Sequence, residues 1–124
     1  MEQNLVIGVD IGGQTAKCGV VDARGAVICQ TVIRSDEHTE AEPFISELAV
    51  ALKRIVKDSG AEGRIRGIGV GAPNANFYTG DIEDAVNLSW GHSGTIHFAR
   101  LLQDAMGGIP VTLTNDANAA AMGE

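Results

Sequence analysis

Apolar positions open the chain as a nearly unbroken run, LVIGVD at residues 5–10, closed by a carboxylate. Such a run predicts a strand buried on both faces. The chain then turns at IGGQ, and TAKCGVVD and AVICQTVI follow as two more β-rich runs with ARG between them, which predicts a three-stranded antiparallel meander. From Pro43 the period changes. Phe44, Ile45, Leu48, Ala49, Leu52, Ile55 and Val56 recur at helical spacing, with Pro43 near the first turn and Gly60 after the last. Lys53, Arg54 and Lys57 lie towards the C-terminal end of that helix, where cations suit its dipole. IRGIGVGAP predicts another buried strand, stopped by Pro73. A polar stretch then runs to Gly94, long for a plain connector, and long loops in compact domains are often functional. Residues 96–106 predict a second helix, stopped by Gly107 and Gly108 with Pro110 beyond. VTLTN predicts a fifth strand, and DANAAAMGE opens a third helix with an alanine-rich face. The order βββ-α-β-α-β-α predicts an α/β fold, a mixed five-stranded sheet whose antiparallel meander feeds a parallel core, with helices on its faces.

Composition sharpens this picture. With 124 residues, 44% hydrophobic and 20% charged, the chain has material for one core of ordinary single-domain size. Aromatic residues make up only 4% against 16 glycines, so packing rests on Val, Ile, Leu and Ala with close backbone approaches. A net charge of -7, with 9 scattered Lys and Arg, argues against nucleic acid as a partner. No apolar stretch approaches the roughly 20 residues needed to span a bilayer, and MEQN lacks the plan of a secretion signal, so the expected location is cytoplasmic with no membrane partner. The two cysteines, Cys18 and Cys29, make no disulfide framework or zinc-finger spacing and read as reduced packing residues. A hairpin turning at Ala23-Arg24 places them directly opposite each other. The three histidines, His38, His92 and His97, do not share a helix face suited to a metal.

The turn after the first strand admits two readings. Gly12-Gly13 could simply permit a tight bend, with Asp10 bonding nearby amides. Alternatively, Asp10 stands at the mouth of a buried strand beside the free amides of the bend, with Thr15 and Lys17 just beyond, a set able to cradle phosphates and to hold Mg²⁺ through water. GxxxxGK[ST] is absent, and the glycines at 67, 69 and 71 are one residue short of a dinucleotide fingerprint.

GVDIGGQTAKCGVVDARG resembles the first phosphate motif of the sugar kinase, chaperone ATPase and actin superfamily, which implies a ribonuclease H-like fold. GIGVGAPNANFYTGDIEDAVNLSW and IPVTLTNDANAAAMGE resemble the N-terminal lobe of the ROK family of bacterial glucokinases and related sugar kinases. The likeness covers essentially the whole chain. The opening motif alone points only to the superfamily, and its combination with NDANAAAMGE is what marks ROK proteins.

The resemblance implies an ATP-dependent hexokinase, a glucokinase acting on the 6-hydroxyl of glucose, with residues 1–124 as one lobe and the second lobe, with the family's zinc site, beyond Glu124. It implies that the lobe alone is inactive, and that homo-oligomers form, if at all, in the full-length protein. Asp116 is the implied catalytic base, and the dipole of a following helix would keep its carboxylate ionised. Asn115 would bond sugar hydroxyls, since an amide both donates and accepts. Asp10 takes the Mg²⁺-linked role, and Gly12, Gly13, Gln14, Thr15 and Lys17 the neighbourhood of the transferred phosphate. Gln14 stands where Thr is commonest in the family. Asn74, which follows Pro73 where many relatives carry glycine, and Asn87 of NLSW complete the sugar side, beside the alternative that each is an ordinary loop asparagine. Trp90 reads as an anchor for the long loop, with a sugar-stacking platform as the alternative. Two other functions compete with the kinase: a fragment of a ROK-type sugar-responsive transcriptional repressor, and a non-catalytic nucleotide- or sugar-binding module. The kinase reading requires the glycine bend and the exit of the fifth strand to share one edge of the sheet.

Overall fold

A computed structural model describes residues 5–85, 88–91 and 94–114. The three opening apolar runs are β1 (Leu5–Ile11), β2 (Thr15–Val21) and β3 (Val27–Arg34), paired antiparallel in chain order. Helix α1 (Ala41–Ser59) follows, with Pro43 in its first turn, where a missing N–H costs nothing. It ends at Gly60, whose left-handed backbone (φ 72°) lets its N–H donate to the carbonyls of Lys57 and Val56. Strand β4 (Ile65–Gly71) returns parallel to β1. After the two-residue β5 (Ala75–Asn76), β6 (Asp81–Glu83) and β7 (Thr95–Ile96) come α2 (Phe98–Ala105) and β8 (Val111–Thr114), which lies parallel to β4. The main sheet runs β3-β2-β1-β4-β8, the mixed five-stranded sheet expected from the pattern.

Three expectations need correction. The polar stretch before Gly94 is not one loop: β5, β6 and β7 form a small antiparallel sheet within and just after it. The second helix starts at Phe98 rather than Ile96, because Ile96 is drawn into that sheet opposite Ile82. Cys18 does not face Cys29; Thr31 lies opposite Cys18, and Val20 lies opposite Cys29. The turn is one residue longer than a two-residue hairpin, with the Asp22 N–H donating to the Ala26 carbonyl around Gly25 at φ 85°. A bulge between Val20 and Val21 then adds a second residue on the β3 side.

Strand alternation sorts the sheet into two unlike faces. Ile7, Val9, Ile11, Ala16, Cys18, Val20, Ile68, Val70 and Leu113 point to one face and are buried. Phe44, Ile45, Leu48, Leu52 and Ile55 of α1 and Phe98 and Leu102 of α2 join them in one core. On the other face Gly19, Gly8 and Gly69 lie side by side across three strands, flanked by Gly67 and Gly71, so the sheet there is floored by backbone. Asp10, Lys17, Gln30 and Val32 stand exposed on it. Among the described residues no helix is long and apolar enough to cross a membrane.

Candidate functional site

Because β1, β4 and β8 are parallel, their C-terminal ends emerge on one edge of the sheet. Asp10 pairs with Gly71, and Gly71 with Thr114, so the three lie in one row. Two strand spacings separate Asp10 from Thr114, about 10 Å. Lys17 extends the row on the other side as the register partner of Asp10. Both line a cavity of about 580 Å³ over the glycine floor, with Gly8, Gly19, Gln30 and Val32. The glycine bend and the exit of the fifth strand therefore share an edge. Asn115 and Asp116, one and two residues past Thr114, lie outside the described residues, as does Asn87.

The bend itself closes with the Gly12 N–H donating to the Thr15 carbonyl at 2.9 Å. It is also held from outside. Ser35, the buried polar residue of the described core, donates its hydroxyl to the Gly12 carbonyl at 2.7 Å and its N–H to the Gln14 carbonyl at 2.9 Å. Its own carbonyl lies 3.3 Å from Ser89 Oγ, and that hydroxyl donates to the His38 carbonyl at 2.7 Å. Sequence reasoning missed Ser35. No sequence signal pointed to it: only the observed pairing of Thr15 with Arg34, two residues from the expected register, sets the residue that follows β3 beside Gln14.

A second cavity, of about 560 Å³, gathers Asn74, Asn76, Phe77, Tyr78, Glu83 and Thr114 at the same edge. Asn74 adopts the left-handed conformation (φ 59°), and its Nδ2 donates to the carbonyls of Glu83 and Asp84 at 2.9 and 3.0 Å. Its amide hydrogens thus hold the small sheet together, as a loop asparagine does. Asn76 Oδ1 caps the next turn by accepting from the N–H groups of Tyr78 and Thr79. Phe77 and Tyr78 pack edge to face with their ring centres 5.5 Å apart, and 57% and 93% of their surfaces are exposed. These rings, not Trp90, are the ones available to a ligand.

Trp90 is fully buried. It stacks on Phe44 at 4.6 Å and on Phe98 at 5.7 Å, tying the long loop to both helices, the anchoring role set against the platform. His38 and His97 bond to Glu47 and Asp81 at 2.6 and 2.9 Å, so both serve local structure, and His92 lies outside the described residues. Both cysteines are free, and burial pushes the Cys18 thiol up to about 12. Among the described residues no group of three or more His, Cys, Asp or Glu could hold a metal ion.

Comparison with known families matches residues 6–124 to the ROK family. A glucokinase of Halalkalibacterium halodurans is 31% identical over all of this chain and 37% of its own length. The crystal structure of a ROK hexokinase from Thermus thermophilus superposes with a TM-score of 0.76 and 32% identity, over 97% of this chain and 41% of that one. A ROK family glucokinase from Streptomyces griseus, solved in complex with glucose and AMPPNP, gives a TM-score of 0.73 and 30% identity, over 98% of this chain and 36% of that one. The chain thus spans little more than a third of the curated relatives it matches.

Proposed function

The chain belongs to the ROK family, and from that membership we propose that residues 1–124 form the N-terminal lobe of a two-lobed, ATP-dependent sugar kinase acting on the 6-hydroxyl of a hexose, with glucose as the first candidate. The observation that supports this best is the row of Asp10, Gly71 and Thr114, which lines up the strand before the glycine bend with the strand that leads into NDAN. The glucose and AMPPNP held by the Streptomyces griseus relative support a sugar and ATP as the two substrates.

In this reading Asp116 accepts the proton of the attacking hydroxyl, and Asn115 orients the sugar by donating to one hydroxyl and accepting from another. Phosphoryl transfer needs alignment and charge neutralisation more than covalent help, so a well-placed carboxylate suffices as base. Gly13 offers its backbone N–H to the phosphates, with Gly12, whose own N–H is taken by the Thr15 carbonyl, and Gln14, Thr15 and Lys17 beside it. Asn74 and Asn87 belong to the sugar side. With its Nδ2 already donated to two carbonyls, Asn74 would meet a sugar through Oδ1. Asp10 is exposed at the end of β1, where its carboxylate would meet, through water, a Mg²⁺ that arrives with its nucleotide and keeps most of its waters. When bound, that ion would supply charge neutralisation at the phosphates, and Asp10 would hold it through water.

The test is Asp116→Asn in the full-length protein. Hexose affinity by calorimetry should stay within about twofold while transfer falls about 10²- to 10⁴-fold, the usual worth of a general base. Retained transfer would remove Asp116 from this role. Failure of the wild-type protein to phosphorylate any hexose would remove the kinase reading itself.

A further inference from the structure

The glycine bend raises a mechanical problem that its own residues do not solve. Gly12 and Gly13 have no side chains to pack, and glycine backbone rotates freely, so a donor N–H in such a bend turns away from a ligand unless something else fixes its peptide plane. Ser35 fixes it. A trans peptide is planar, with its C=O and the following N–H pointing in opposite directions. Holding the Gly12 carbonyl on Ser35 Oγ at 2.7 Å therefore turns the Gly13 N–H to the opposite side, away from Ser35. The Ser35 N–H on the Gln14 carbonyl at 2.9 Å pins the bend a second time, so that Gly13 is held between two anchored carbonyls. The segment that carries Ser35 is itself tied down, since the Ser89 hydroxyl donates to the His38 carbonyl at 2.7 Å and lies 3.3 Å from that of Ser35.

We propose that Ser35 is a positioning residue for phosphate binding: by clamping the carbonyls of Gly12 and Gln14 it aims the Gly13 N–H at the nucleotide. The proposal rests on the kinase reading above. A serine that merely fills the core would lower stability when replaced and leave the ligand affinities of the folded protein alone. A clamp has a different signature, in which affinity for the nucleotide falls and affinity for the sugar does not.

The experiment uses the full-length protein carrying Ser35→Ala and, because a cavity at a buried site could prevent folding, also Ser35→Cys, which keeps the volume but replaces the hydroxyl by a weak donor. Mg-ATP and glucose affinities are measured separately by calorimetry on protein shown to be folded by circular dichroism. Each variant should bind Mg-ATP about tenfold more weakly, the worth of one misaligned charge-assisted bond, with glucose affinity unchanged within about twofold. Wild-type Mg-ATP affinity in either folded variant overturns the proposal, and so does an equal loss of both ligands. A wild-type protein that binds no Mg-ATP overturns the kinase reading and the proposal with it, which separates the two failures.

Discussion

Replacing Trp90 tests whether the long loop is fastened by a ring stack. The indole is fully buried, with Phe44 almost parallel on one side (13° between planes) and Phe98 at 27°. Truncating a buried Trp to Ala costs about 3–5 kcal/mol, and each aromatic pair lost contributes about 0.5–1.5 kcal/mol beyond the area it buries, so Trp90→Ala belongs at the upper end, about 4–5 kcal/mol. Against a total stability of about 5–15 kcal/mol for a domain, that is about a quarter of the whole or more. Trp90→Phe keeps a ring between the two partners. It also removes an indole N–H that is buried without a hydrogen-bond partner among the described residues, so its cost should stay under about 1.5 kcal/mol. Urea unfolding of the 124-residue chain, followed by far-UV circular dichroism, reads the difference. With a slope of about 2 kcal/mol per molar urea, the midpoint of Trp90→Ala should fall by about 2 M and that of Trp90→Phe by well under 1 M. Trp90→Ala within about 1 kcal/mol of wild type would refute the stack as an anchor. Trp90→Phe with native stability and more than about tenfold weaker glucose affinity would restore the sugar platform instead.

Two further outcomes can be checked on the same chain. Gly91→Ala should cost about 1–3 kcal/mol, because a Cβ there would meet the Ala85 carbonyl oxygen at 2.9 Å and the Ala85 and Leu88 Cβ atoms at 3.0 and 3.2 Å; thermal melting reads it, and a neutral result would mean that Ala85 and Leu88 give way freely. Since burial raises the Cys18 thiol from 9.0 to about 12, iodoacetamide at pH 8 should label Cys29 in the folded chain and Cys18 only after unfolding. The unfolded chain gives up this proton near 9.0 and the folded one only near 12, so stability should fall as pH rises through that window, and Cys18→Ala should remove part of the fall.

What the sequence disclosed of the fold follows the length of each pattern. The seven residues of β1 and the nineteen of α1 are long enough for their periods to show, and both elements form where the pattern puts them. Strands of two and three residues, such as β5, β6 and β7, never repeat their two-residue period, so the small sheet stayed hidden inside a polar stretch. The hairpin register failed for a different reason. Two separate insertions on the β3 side, one at Gly25 and one beside Val21, each shift the pairing by one residue, and together they restore the same inward face while displacing every cross-strand partner. Glycines 67, 69 and 71 carried a strand signal of period two that was set against a nucleotide fingerprint but not read as one face of a sheet.

Of the candidate site, Asp10, Gly12 and Gly13 were legible because their chemistry is local: a carboxylate at a strand end and a bend without side chains announce themselves in consecutive residues. Ser35 could not announce itself in that way, since a serine after a strand has no meaning until the register of β3 against β2 places it over Gln14. The aromatic residues show the same limit. Trp90 drew attention by type, yet burial between Phe44 and Phe98 withdraws it from any ligand, while Phe77 and Tyr78 reach the edge because the β5–β6 turn carries them there. The central relation of the site is topological. Residues far apart in the chain, Asp10 and Thr114, meet in one row only because both connections, β1 to β4 and β4 to β8, return the chain to start again from the same side of the sheet. Parallel strands release their last residues at a common edge, and in an open α/β sheet that edge is where ligands bind. β8 therefore releases the chain at Thr114 on the same edge as the glycine bend, two strand spacings from Asp10.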